Sequence, residues 1–298
     1  MNSPRIGIIG FGFIGKAVTR ELVLKNHNIK ILDRNTKTTK LPVNWIQADY
    51  RDKNVMSEFL SDLDILIHLA SSTVPASSII SVENDIRENI TSMIQILDLI
   101  IQKNPYLYII FASSSSIYGN QINFPITELN LPKPISLYGL NKLTIENFLR
   151  VCHIQYKLNY ASCRISNPYG PGQKVNTKQG LLSIIKNGMH SNKKLTIYGQ
   201  NECTRDFIHI KDVAKAISIL CDRNPINCEV NISSGNEVKI IDLIKYIEKL
   251  SCREINANFK PLRSTDISRS VLDNNLIKSL IGWQPKLNLE NGIKEYFK

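Results

Sequence analysis

The sequence predicts an α/β protein built on a doubly wound parallel sheet, and three observations predict it. Short runs dense in Ile, Leu and Val alternate with segments of helical periodicity from residue 5 to about residue 168. Those runs lack the polar alternation of a sheet with one wet face, which suits parallel strands covered on both sides. A glycine-bearing turn, Gly10-Phe11-Gly12-Phe13-Ile14-Gly15, follows the first run and opens the first helix, at the place where open α/β sheets bind ligands beyond the carboxyl ends of their strands.

Taken in order, RIGII is the first strand and IGKAVTRELVLK its crossover helix. IKILD, WIQAD and DILIHLA read as further strands, with VMSEFLSDL as a helix between the last two. NDIRENITSMIQILDLIIQK (84–103) has the period of one long amphipathic helix. LYIIFAS is a buried strand, LYGLNKLTIENFLRVCHIQY a second long helix, and NYASCRIS another strand. Residues 1–168 thus read as a Rossmann-like NAD-binding domain. From 169 the loop YGPGQKVNTKQG breaks the beat and shorter elements follow, so residues 169–298 are expected to form a smaller C-terminal substrate-binding region, some elements of which can return to the first domain.

Composition narrows the function. The 298 residues are 43% hydrophobic and 21% charged, the balance of a globular chain rather than a disordered or fibrous one. The longest apolar runs, ILIHLA and LYIIFA, fall far short of the roughly 20 residues that cross a bilayer, so no membrane span is expected. MNSPRIGIIGFGFIG is apolar, but its glycine spacing and lack of a small-residue cleavage site fit a strand and turn, and the chain is expected to be cytoplasmic. Six scattered cysteines, with no C-x-x-C pair and no histidines at ligand spacing, indicate neither a metal site nor a disulfide framework. The net charge of +11 is spread along the chain with no recognised binding module, so nucleic acid is not an expected partner.

Within the glycine turn, Gly10 permits the tight bend, Gly12 admits a pyrophosphate to the backbone, and Gly15 lets helix pack on strand, while the free N–H groups of the helix start hold phosphate. Asp33 ends the second strand about 20 residues further on, where a carboxylate can accept hydrogen bonds from both ribose hydroxyls of an adenosine. It would repel a 2′-phosphate, which favours NAD over NADP, although Arg34 next to it could meet such a phosphate. Tyr138 and Lys142 share one helix face at i, i+4 spacing. A phenol of pKa about 10 becomes a base at neutral pH only if lowered by roughly three units, or about 4 kcal/mol, and a nearby ammonium can supply that. The same spacing also occurs in plain surface pairs.

The motifs in sequence order carry a resemblance: a GFIG-ended glycine turn, HLA after the fourth strand, SSSxxYG after the fifth, Y-x-x-x-K, RISNPYGPGQ and TRDFIHIKDVAKA. The chain resembles the extended short-chain dehydrogenase/reductase family, within it the nucleotide-sugar epimerases and dehydratases, from Ile6 to the C-terminal LIGWQPKLNLENGIKEY. The resemblance implies Ser114, Tyr138 and Lys142 as the catalytic residues, with Ser113, Ser115 and Ser116 serving the turn. It implies backbone contacts to the pyrophosphate from Phe13 and Ile14, adenine contacts from Asp49 and Tyr50, nicotinamide-side contacts from Leu69 and Ala70, and a cofactor role for Asn89. Asn167, Tyr198, Arg205 and Arg263 are implied for a nucleotide-diphosphate sugar, and two arginine forks suit a diphosphate. His68 reads as a core histidine.

Ser114-Ser115-Ser116 replace the Thr-Asp-Glu that dehydratases of this family carry, so the acid and base for water elimination are missing. What remains is oxidation and re-reduction at carbon 4 of a UDP-hexose or UDP-N-acetylhexosamine by an NAD-dependent epimerase, or NAD(P)H-dependent reduction of a 4-keto sugar. A non-catalytic dinucleotide sensor is a third reading, and such chains usually lack the tyrosine or the lysine that stand here. Ile9 takes the place of the family's first glycine, Thr73 that of a lysine near the substrate phosphate, and Ser270 a position whose bulk separates plain hexoses from N-acetylated ones. A homodimer through the helices 84–103 and 138–156, and work in surface-polysaccharide precursor synthesis, are further implications of the likeness.

Overall fold

The computed structural model of the chain describes residues 3–71, 81–174, 180–191, 194–199, 203–223, 225–263 and 266–297. The apolar runs become β1 (Arg5–Ile9), β2 (Asn28–Asp33), β3 (Asn44–Gln47), β4 (Ile65–His68), β5 (Tyr108–Ser114) and β6 (Asn159–Ile165). With Cys228–Ile232 they form one seven-stranded parallel sheet in the order Cys228–Ile232, β6, β5, β4, β1, β2, β3. The order reverses between β1 and β4, which opens a crevice at their carboxyl ends. Successive strand residues go to opposite faces. Ile6, Ile8, Ile29, Ile31, Ile67 and Ile110 enter one core, and Ile9, Leu32, Leu66, Ile109 and Phe111 the other. Burying both faces explains why these strands read as unbroken apolar runs.

Two elements beyond residue 168 return to the first domain. The helix Ile210–Cys221 contributes Val213, Ile217 and Leu220 to the same core as Val18 and Leu22 of the helix Phe13–Leu24, and Cys228–Ile232 pairs with β6. What stands apart is a third core, in which Leu182, Ile185, Leu195, Ile244 and Ile293 meet. Among its elements Leu195–Tyr198 and Ala257–Lys260 pair in parallel.

The expected single helix over 84–103 is helical but not uniform. Val82–Asp85 is α-helical, Ile86–Thr91 widens into a π-turn, and Ser92–Lys103 resumes the α-helix. Side chains take up carbonyls around the widening: Asn89 Nδ2 donates to Asp85 O at 2.9 Å, Ser92 Oγ to Arg87 O at 3.0 Å, and Tyr50 Oη to Glu88 O at 2.7 Å. Apolar spacing cannot reveal this, because it rests on contacts with a residue from another element.

The helix Leu137–Tyr156 begins at the Ser136 cap, whose Oγ accepts from Gly139 N at 3.1 Å. It is docked on the sheet by a buried ion pair. Arg164 of β6 donates from Nε to both Glu146 oxygens at 3.2 Å and from Nη2 to Oε2 at 2.8 Å, and its Nη1 reaches Tyr118 Oη at 3.0 Å. Burial pushes the Glu146 carboxyl above its ordinary value, and the guanidinium opposes that shift. Removing one partner strands the other charge. Arg164→Met is expected to lower stability by about 3–5 kcal/mol, measured as the urea midpoint; a loss under about 1 kcal/mol would show that the pair does not dock the helix.

Candidate active site

A cavity of about 1150 Å³ opens at the switch point and runs from the glycine turn, past the end of β5, to the C-terminal region. Its walls include Gly10, Gly12, Phe13, Ile14, Gly15, Asp33, Asp49, Tyr50, Leu69 and Ala70 at one end. Ser114, Tyr138 and Lys142 stand in the middle, and Asn167, Tyr198, Arg205 and Arg263 at the other end. Thr73 lies outside the described residues.

The dinucleotide end fits its ligand by what is missing from the turn. Gly10 has φ +97°, and a Cβ there would stand 2.9 Å from Ala70 N; a Cβ on Gly15 would meet Gly10 O at 2.2 Å. These two positions weld turn, strand and helix together. Around Gly12 a Cβ would meet nothing within 4 Å, so the open side of the turn faces the cavity. The helix Phe13–Leu24 starts there with no side-chain cap and no acidic residue in its first turn, which leaves backbone N–H groups and the positive end of the helix dipole for a phosphate. Ile9, in the place of the family's first glycine, is fully buried in the core, and the residue after it, Gly10, takes the positive φ of the bend.

Asp33 braces the turn as well as facing the cavity. Its Oδ2 accepts from Phe11 N at 2.6 Å, and its Oδ1 from Asn35 N and Nδ2 at 2.8 Å each. Of the roughly four acceptor positions on a carboxylate, about one is left for ribose, fewer than the two-hydroxyl contact expected from sequence. Phe11 stands edge-on to Trp45 with ring centroids 5.1 Å apart, and Trp45 also walls the cavity. Arg51 pairs with Asp49 at 2.5 Å and holds its carboxyl below the ordinary value.

One predicted residue is not on this cavity. Asn89 sits behind it, lining a second, smaller void with His68, Phe111, Tyr138, Asn141 and Lys142. Both of its amide hydrogens go to Asp85, at the carbonyl and at Oδ1, as part of the π-turn. These bonds tie its amide to the π-turn.

The serine run divides its labour as a cap. Ser114 ends β5, and its Oγ accepts from Ser116 N at 3.2 Å and Ser116 Oγ at 3.0 Å, closing the single 3-10 turn Ser115–Ile117. Gly139 lets the helix start approach this turn, since a Cβ would lie 2.6 Å from Ser116 O. That approach brings Tyr138 to Ser114. Burial raises the Tyr138 phenol above its ordinary value and the Ser114 hydroxyl alone opposes it, so the lowering expected from Lys142 does not act on the phenol in the protein alone. Lys142 is itself desolvated, its ammonium pushed down to about 8 by burial and partly restored by Glu146. Its Nζ donates to Ala112 O at 2.7 Å and lies 5.7 Å from the Tyr138 ring centre. Sequence reasoning missed Gly139, Asn35 and Trp45; Gly139, inside Y-x-x-x-K, could have been found as a glycine in the first turn of a helix that must approach a neighbour.

At the far end the arginines are held differently. Arg263 stacks on Tyr198, 4.4 Å from the ring centre, and pairs with Asp266 at 2.7 Å. Arg205 donates from Nη1 to Thr204 O at 2.7 Å, and burial lowers its pKa from the ordinary value. Asn167 Nδ2 donates to Asp206 O at 2.9 Å, and Ser270 is buried in the wall.

Residues 6–233 match the model of the NAD dependent epimerase/dehydratase family. The chain belongs to that family. It is 32% identical to a putative UDP-glucose 4-epimerase of Methanocaldococcus jannaschii over 96% of this chain and 94% of the relative. It is 28% identical to a dTDP-4-dehydro-6-deoxyglucose reductase of Escherichia coli over 100% and 98%. Among solved structures, the UDP-glucose 4-epimerase of Thermotoga maritima with UDP-glucose superposes with a TM-score of 0.91 at 27% identity, covering 98% of this chain and 97% of that one. This family member is an NAD-dependent enzyme of nucleotide-sugar chemistry.

Gly12→Ala has room for its methyl and should fold with wild-type stability, yet it intrudes on the phosphate position. The dissociation constant for NAD, read by calorimetry, is expected to rise about tenfold, equivalent to about 1.4 kcal/mol. Unchanged affinity would place the pyrophosphate elsewhere.

Proposed function

We propose that the protein is a UDP-sugar 4-epimerase, with Ser114, Tyr138 and Lys142 as its catalytic residues. The observation that carries this reading is the convergence of those three side chains midway along a cavity that has a phosphate-ready helix start at one end and two arginines at the other.

Bound in the cradle, NAD supplies a hydride acceptor and donor and a positive ring charge. Tyr138 takes the proton of the sugar's 4-hydroxyl as hydride leaves carbon 4, and returns it after the 4-keto sugar has turned over. In the protein alone burial keeps the phenol protonated, so the base form needs added positive charge beside it. Lys142, fixed by Ala112 O, keeps its ammonium close to the phenol. Ser114 Oγ accepts from Ser116, and its O–H, which in the protein alone serves Tyr138, turns to donate to the sugar oxygen when substrate is bound. Arg205 and Arg263 neutralise the diphosphate, Arg263 giving up part of its pairing with Asp266. The small side chain of Ser270 in the wall leaves volume for an N-acetyl group.

A second reading, one-way reduction of a 4-keto sugar, is favoured by the full-length likeness to the dTDP-sugar reductase. Incubation with UDP- and dTDP-sugars, followed by NMR of the sugar protons, separates the two: the epimerase interconverts UDP-sugars without added cofactor, the reductase consumes reduced cofactor in proportion to product. Tyr138→Phe should lower kcat by about 10²–10⁴-fold while binding NAD as the wild type does; an active variant would remove Tyr138 from the mechanism.

The homodimer belongs to the same proposal. Leu140, Phe148, Val151 and Ile154 on one long helix and Ile86 on the other are exposed apolar side chains. Paired helices from two copies would cover them. Light scattering is expected to give twice the chain mass of 33.8 kDa, and Phe148→Glu with Val151→Glu to give monomer; an unchanged mass in the variant would locate the contact elsewhere.

A further inference from the structure

We infer that His68 is a positioning residue for Lys142, acting through one water molecule bound in the void behind the reactive pair. The inference rests on the catalytic role proposed above for Lys142.

The void adjoins the main cavity at Ala70, Ser71, Tyr138 and Lys142 and is walled also by His68, Asn89, Phe111 and Asn141. Its volume is about 10 Å³, at the lower edge of the roughly 10–15 Å³ that admits a single water. His68 ends β4, where its register partners are Ile9 and Phe111, and it is 4% exposed. Neither ring nitrogen finds a hydrogen-bond partner among the described residues. A buried imidazole in that condition is costly, and a water between polar groups is the usual remedy.

Lys142 presents the complementary need. An ammonium has three donors, and Ala112 O takes one of them. Lys142 also lines the main cavity, where a second donor is free to meet cofactor or substrate in the proposed function. A water in the void would accept a third and donate its own hydrogen to a lone pair of the neutral His68 ring, so that the lysine is held from behind as well as from the sheet. Burial and the Lys142 charge keep that ring neutral, pushed down to about 3, which leaves it an acceptor. Both groups flank the same ring: Lys142 Nζ sits 4.7 Å from the Phe111 centre, and the His68 ring 6.0 Å from it. The other titratable or charged groups packed around them are Glu146 and Tyr138 on the lysine's own helix, Tyr50 edge-on to His68 at 5.7 Å, and Asp85 through its bonds to Asn89 and Asn141. Of these only Glu146 supports the ammonium by direct attraction, so an acceptor behind it alters the lysine's charge state.

Two kinds of measurement test this on the whole protein. A high-resolution crystal structure of the wild type should show a water within about 2.7–3.2 Å of a His68 ring nitrogen and of Lys142 Nζ, and ¹⁵N NMR should show a neutral His68 ring whose unprotonated nitrogen accepts a hydrogen bond. In kinetics, His68→Leu removes the acceptor and fills the space. The alkaline limb of the kcat profile should then move about one pH unit lower, a loss of about tenfold at pH 9, with NAD affinity unchanged; His68→Asn or His68→Gln should restore the limb. A dry void, a water bonded to only one of the two groups, or a limb that stays put in a folded His68→Leu enzyme overturns the inference. If the wild type turns over no nucleotide sugar, the proposed function fails on its own, while the crystallographic and NMR arms still judge the water.

Discussion

The helix that carries Tyr138 and Lys142 is fixed by a guanidinium and a carboxylate from which water is excluded. Arg164 reaches from β6 to Glu146, one turn beyond the lysine, and Tyr118, bonded to both Arg164 and Asn231, extends the clamp to the last strand of the sheet. Such a pair adds little net stability compared with apolar residues of the same shape. Its value is positional. A hydrophobic contact would let the helix slide along the sheet, whereas a bidentate fork has one good geometry, and that geometry sets where the phenol and ammonium stand relative to the end of β5.

The same clamp accounts for the electrostatics of the cleft. Tyr138 and Lys142 are held out of water and both are shifted toward their neutral forms, the phenol up and the ammonium down. Neither shift is a defect in a site that must pass a proton and keep a charge: groups whose environments push them toward neutrality respond strongly when a charged ligand arrives. The arginines at the substrate end are treated in two ways. Arg263 rests on an aromatic face and an aspartate near the surface, ready to exchange partners, while Arg205 is partly buried, donates to the Thr204 carbonyl and is attracted by Asp266 without pairing to it among the described residues.

Much of this was legible from the residues, and the reasons are local. Strands buried on both faces must be apolar throughout, so β1, β2, β4 and β5 announced themselves, and the glycine turn has a spacing that few other needs explain. Tyr138 with Lys142 could be placed on one helix face by spacing alone. What escaped depends on partners distant in sequence. The π-turn at Ile86–Thr91 is bound up with Tyr50, and the pairing of Leu195–Tyr198 with Ala257–Lys260 joins segments separated by two helices, Ile210–Cys221 and Ile240–Ser251. The upward shift of the Tyr138 phenol follows from how deeply the helix start is set into the sheet, which a linear pattern does not record.

The edge-on contact between Phe11 and Trp45 has an optical consequence. The chain has two tryptophans, and the other, Trp283, is packed into the interior at 3% exposure. Trp45 alone stands in the cavity wall beside the glycine turn. Its fluorescence is therefore a built-in gauge of whether the groove is filled, available without label or turnover, and it distinguishes loading of the nucleotide cradle from events at the sugar end.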